Sequence, residues 1–99
     1  MNKADIRSII VSNKPILIQY KVKSISLFGS YVRNEQNDKS DVDFLVEFHQ
    51  GASLFDIVDL QDKLSEILKI KSSVVSKRGL NKYIGPYILK EAEPLAEGF

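Results

Sequence analysis

Apolar residues recur near a 3.6-residue period at Ile6, Ile9, Ile10, Leu17 and Tyr20, which predicts a helix over residues 4 to 20. Pro15 lies inside it and must kink or divide it, because proline has no amide hydrogen to give to the helical ladder. The rhythm then changes to two. Residues 24 to 28, SISLF, alternate and predict a short strand. Residues 42 to 48, VDFLVEF, alternate more clearly, with Val42, Phe44, Val46 and Phe48 on one face and Asp43, Leu45 and Glu47 on the other. Gly51 ends that strand. Ser53 followed by Asp56 resembles a capping pair, and it opens a helix to about Lys69 carrying Leu54, Ile57, Val58, Leu64, Ile67 and Leu68. Val74 and Val75 predict a third strand, Gly79 a turn, and Pro86 the first residue of a last helix that Pro94 stops. The order α-β-β-α-β-α predicts an α/β (α+β) fold, a small mixed sheet flanked by helices, in a single domain over 1–99.

Composition narrows the classes of function. Hydrophobic residues at 43% and charged residues at 27% suit a folded domain rather than a disordered tail. Lys and Arg number 14 against 13 Asp and Glu, so no basic excess points to nucleic acid, and no direct nucleic-acid partner is expected. The absence of cysteine removes disulfides and Cys-based zinc sites. The first twenty residues are interrupted by Asp5, Arg7, Asn13 and Lys14, and no apolar stretch is long enough to span a bilayer. A cytoplasmic protein with no membrane partner is the expectation.

Chemistry concentrates in residues 28 to 44, FGSYVRNEQNDKSDVDF. Asp41 and Asp43 are two apart on or beside a strand, so both carboxylates point to one face with Cα atoms roughly 7 Å apart. Magnesium takes oxygen ligands and commonly binds one or two carboxylates together with substrate phosphates, so the pair suits Mg²⁺ with a bound nucleotide. Gly29 and Ser30 follow the first strand, where glycine lets backbone approach a phosphate closely and the serine hydroxyl adds a hydrogen bond. Alone, an Asp-x-Asp is more often a solvated face and a Gly-Ser only a turn. Ten residues separate Ser30 from Asp41, and the joint pattern GSx10DxD is far more specific than its parts.

With that pattern the chain resembles the minimal nucleotidyltransferases of the DNA polymerase beta-like superfamily. Gly29, Ser30, Arg33, Ser40, Asp41 and Asp43 match the family signature one by one, and KVKSISLFGS and GLNKYIGPYILKEAEPL are similar to its flanking segments. The resemblance implies the polymerase beta-like nucleotidyltransferase fold. It also implies Asp41 and Asp43 as catalytic metal ligands for Mg²⁺, and Gly29, Ser30 and Arg33 as nucleotide-binding residues with ATP as donor. It implies a HEPN-domain ribonuclease toxin as partner in a hetero-oligomer, with this chain the antitoxin that transfers AMP to a toxin tyrosine hydroxyl.

One position departs from the family. Fully equipped members carry a third aspartate on the next strand, and aligning Gly79 and Leu80 puts Ser73 there. A serine hydroxyl is neither an anionic ligand nor a ready proton acceptor. Glu47 shares a face with the pair but lies further along the strand. Two readings follow: a Mg-dependent adenylyltransferase antitoxin weakened at Ser73, or a nucleotide- and partner-binding module that neutralises the HEPN protein by complex formation. Arg33 is either a phosphate contact or a solvated turn residue. Lys77 and Arg78 are expected to be solvated loop charges, and His49 to be structural or exposed. Tyr83 and Tyr87 are expected in the core beside Ile84, Ile88 and Leu89. Exposed sheet edges leave a homodimer open.

Overall fold

The computed structural model describes all residues 1–99. Asn2 opens helix α1 (Lys3–Ser12) with a capping box, its side chain accepting from the Asp5 amide while Asp5 accepts from the Asn2 amide. The predicted long helix is divided rather than kinked. Asn13 ends α1, its side-chain amide donating to the Ile9 carbonyl at 2.7 Å, and α2 (Lys14–Gln19) restarts with Pro15 in its first turn, where a missing amide hydrogen costs nothing.

Strands β1 (Val22–Phe28) and β2 (Val42–Phe48) pair antiparallel, with Phe28 opposite Asp43. Helix α3 (Ser30–Arg33) turns the chain between them. Helix α4 (Leu54–Leu68) opens on the predicted Ser53–Asp56 capping box. It leads to β3 (Ser72–Ser76), parallel to β2, with the 3-10 turn Lys77–Gly79 after it. Helix α5 (Gly85–Glu91) is followed by β4 (Glu93–Glu97), antiparallel to β1. The sheet order is β3-β2-β1-β4.

Two elements correct the sequence reading. The four-residue α3 was not expected, and β4 occupies a segment where only a helix stop at Pro94 was expected. Helix α5 already ends at Glu91, and Pro94 sits in an edge strand, where the missing amide hydrogen forfeits no central ladder bond. Only Leu95 of β4 is buried, so the strand has almost no apolar alternation to betray it.

Val42, Phe44 and Val46 of β2 and Ile25 and Leu27 of β1 are fully buried with Ile6 and Leu17. With Ile10, Leu60, Leu64 and Leu68 they belong to one cluster, so α1, α2 and α4 form a helical layer over one sheet face. In α4 the buried stripe runs through Leu60, Leu64 and Leu68, while Leu54 and Val58, counted in the apolar face from the sequence, are 78% and 53% exposed. The β3 edge is covered by this helix: the Ser72 amide donates to Ser65 Oγ and the Val74 amide to Gln61 Oε1, both at 2.9 Å. Those donors are spent inside the chain, which removes β3 as a template for strand pairing between copies.

The Ser53 cap carries the entry to α4. Ser53→Ala is expected to cost about 1 kcal/mol and to lower the midpoint of thermal unfolding by roughly 4–8 °C, measured by circular dichroism at neutral pH.

Candidate active site

The site forms where β1 ends and β2 begins. Gly29 follows β1 with φ 84° and ψ −157°, a region essentially closed to residues with a Cβ. A Cβ on Gly29 would collide with Asp43 Oδ2 and stand 3.2 Å from its Cγ. Glycine therefore does two things here: it permits the backbone turn into α3, and it leaves room for a carboxylate against the main chain. Tyr31 is buried and anchors α3 from within.

Asp43 is half-buried, and its carboxyl is held above the ordinary carboxylate range. Burial is the first cause, since desolvation disfavours the charged form; the Asp41 charge adds to it, Arg33 opposes it and Glu91 adds a further push. Asp41, immediately before β2, is thus close enough to act on Asp43. In the parallel pairing of β2 and β3, Asp43 stands beside Ser73, so Ser73 shares its sheet face. No set of three or more acidic, histidine or cysteine side chains converges in the chain as a metal cage.

Arg33, the last residue of α3, is ion-paired with Glu91 through Nη1 and with Glu35 through Nε at 3.5 Å. The hydrogen bond and charge of Glu91, with Glu35 behind them, raise the guanidinium pKa above its ordinary value. Glu91 was not singled out from the sequence. The available signal was its place in the last turn of a helix, where the macrodipole disfavours an acidic side chain and a cationic partner is needed.

A family model described as "Polymerase beta, Nucleotidyltransferase" matches residues 11–97. The chain belongs to this family, as a minimal nucleotidyltransferase. It is 45% identical over 91% of its length, and 90% of the relative's, to a Methanocaldococcus jannaschii protein named as a candidate protein adenylyltransferase. It is 36% identical to protein adenylyltransferase MntA of Thermococcus cleftensis, over 88% of this chain and 89% of that one. Among solved structures, a candidate minimal nucleotidyltransferase superposes with a TM-score of 0.80 at 29% identity, over 95% of this chain and 96% of that one. A complex of a tri-AMPylated Shewanella oneidensis HEPN toxin with its MNT antitoxin shares the fold, with a TM-score of 0.68 at 20% identity over 91% of this chain and 71% of that one.

In this nucleotidyltransferase the remaining sequence-predicted residues divide by position. Gly29, Ser30, Arg33, Asp41 and Asp43 gather at one end of the sheet. Glu47, at the other end of β2, lies with Lys77, Arg78 and His49 around a surface cavity of ≈ 730 Å³. The carboxylates of Asp41 and Asp43 do not line that cavity, and both residues are half-buried. His49 is exposed, as expected, with Nε2 2.7 Å from the Phe99 carbonyl oxygen. Tyr83 and Tyr87 are not core residues. They are 73% and 77% exposed, and helix α5 buries only Gly85. Tyr83 instead carries Lys82 Nζ 5.2 Å from its ring centroid. No helix is long and apolar enough to cross a membrane.

Gly29→Ala is expected to cost about 1–3 kcal/mol from the backbone conformation alone. It should also displace the Asp43 carboxylate, so that binding of Mg²⁺ with a non-hydrolysable ATP analogue, followed by calorimetry, is lost even at temperatures where the variant is folded.

Proposed function

We propose that the chain is an antitoxin of the HEPN/MNT type that transfers AMP from ATP to a tyrosine hydroxyl of its HEPN-domain toxin, more slowly than a relative with a complete carboxylate set. The observation that carries this is the Asp41–Asp43 pair set against Gly29. Of these two carboxylates Asp43 is half-buried and raised in pKa, first by burial and then by the Asp41 charge, and Arg33 only partly offsets it. The names of the relatives support the chemistry, and the AMPylated toxin complex with a fold like this one supports the partner.

The donor set fits Mg²⁺: hard oxygen ligands from Asp41 and Asp43, with the remaining positions left to phosphate oxygens and water. When bound, the metal neutralises charge on the triphosphate and polarises its phosphoryl groups. The chain's own part is positioning. Asp41 and Asp43 define where the α-phosphate end of the nucleotide lies, and the Gly29 backbone with the Ser30 hydroxyl seats the rest of the triphosphate. The acceptor hydroxyl approaches across the open sheet face. Transfer joins its oxygen to the α-phosphorus as the bond to pyrophosphate breaks and the hydroxyl proton passes to solvent, and positioning of this kind supplies most of the rate in such reactions.

Ser73 bears on the rate. It stands beside Asp43, at the place from which a further carboxylate would reach the same reaction centre. General-base assistance is worth about 10²- to 10⁴-fold. Ser73 also favours a second reading, in which the pocket is retained and the toxin is neutralised by complex formation alone.

The test is intact-mass spectrometry of a HEPN-domain toxin from the same organism, incubated with Mg²⁺, ATP and either the chain or Ser73→Asp. A slow gain of adenylyl units with the chain, and a gain about 10²-fold faster with Ser73→Asp, is expected. A gain only with Ser73→Asp transfers the conclusion to the binding reading. No gain with either refutes AMP transfer.

A further inference from the structure

Helix α3 has four residues, and the amides of Val32 and Arg33 both donate to the single carbonyl of Gly29. A helix this short does not hold its shape by its own hydrogen bonds and needs tertiary anchors. Tyr31 supplies one from the core side. On the outer side the tether is Arg33. Its guanidinium reaches Glu91, 58 residues away in sequence, and the contact is charge-assisted. The partner helix α5 is also short of apolar anchors, since Tyr87 and Leu89 are exposed and its one buried residue is Gly85. The topology brings the two together. Glu93 pairs with Leu27 in the sheet, so Glu91, two residues earlier, arrives beside the Gly29 turn.

We infer that Glu91 is a positioning residue of the nucleotide site: by clamping Arg33 it fixes α3, and with α3 the Gly29–Ser30 turn that faces Asp43. This rests on the proposed nucleotide-binding role of that turn. Glu91 need not touch nucleotide or metal to act. Its carboxylate takes up donors of the Arg33 fork and leaves the others aimed from a fixed point. Glu35 is the weaker second holder, at 3.5 Å and on a more exposed side chain. The clamp accounts for an acidic residue in the last turn of α5, where the helix dipole opposes it.

The experiment has two readouts on the full chain. In the ligand-free chain, amide hydrogen exchange at Val32 and Arg33 should quicken about tenfold in Glu91→Ala. With Mg²⁺ and a non-hydrolysable ATP analogue, calorimetric affinity should fall about tenfold. Glu91→Gln, which keeps an oxygen acceptor for Arg33, should recover most of both losses. Arg33→Ala with Glu91→Ala should bind no more weakly than Arg33→Ala alone, because the two act through one contact. Unchanged exchange overturns the inference. So does an affinity in Glu91→Ala equal to or tighter than the parent's, the latter meaning that Glu91 competes with phosphate for Arg33. Failure of the parent chain itself to bind the analogue removes the nucleotide reading and this inference with it, whereas parent binding with unaffected Glu91→Ala removes this inference only.

Discussion

The fold converges on one close approach, the Asp43 carboxylate set against the backbone of Gly29 where β1 and β2 meet. It requires a residue without a Cβ at position 29, both for the φ of 84° and for the space. It requires the Phe28–Asp43 register, because a slip of one residue would turn Asp43 into the core and Phe44 out of it. The fully buried Val42, Phe44 and Val46 hold that register from the helical side. Core packing on one sheet face thus determines where charge appears on the other.

That placement is electrostatically uncomfortable in the absence of a cation. Burial and the charges of Asp41 and Glu91 disfavour the ionised form of Asp43, and Arg33, shared between Glu91 and Glu35, partly offsets them. A structure selected for stability alone would not crowd acids in this way, and sites that violate local comfort are where function is found. At the neighbouring position on β3 the chain carries the uncharged Ser73, which adds nothing to this crowding.

Much of this was legible in the sequence where one physical rule dominated. Alternation along VDFLVEF placed β2 and the Asp43 face, and the Ser53–Asp56 pair marked the start of α4. GSx10DxD located Gly29, Ser30, Asp41 and Asp43, which gather at one end of the sheet. Legibility failed where tertiary context outweighed local pattern. Strand β4 has Pro94 and two glutamates around its one buried leucine, and only its edge position beside β1 makes it a strand. Tyr83 and Tyr87 look like core residues by type, but the turn before α5 and α5 itself leave them 73% and 77% exposed. The Arg33–Glu91 contact joins residues that no periodicity links.

Asp43 is held where burial and the Asp41 charge disfavour its ionised form. The most direct measurement is thermal unfolding of the chain and of Asp43→Asn across pH, first free of divalent metal. A carboxyl raised in the folded state binds its proton more tightly there, so stability falls as pH rises from the unfolded value, about 3.9, through the raised one. Asp43→Asn should therefore melt higher than the parent at pH 7, and the difference should close by about pH 4. With Mg²⁺ and a non-hydrolysable ATP analogue the parent should gain stability and Asp43→Asn should not. An Asp43→Asn variant that is less stable than the parent without metal, or that gains as much from the Mg²⁺–nucleotide, would contradict the account.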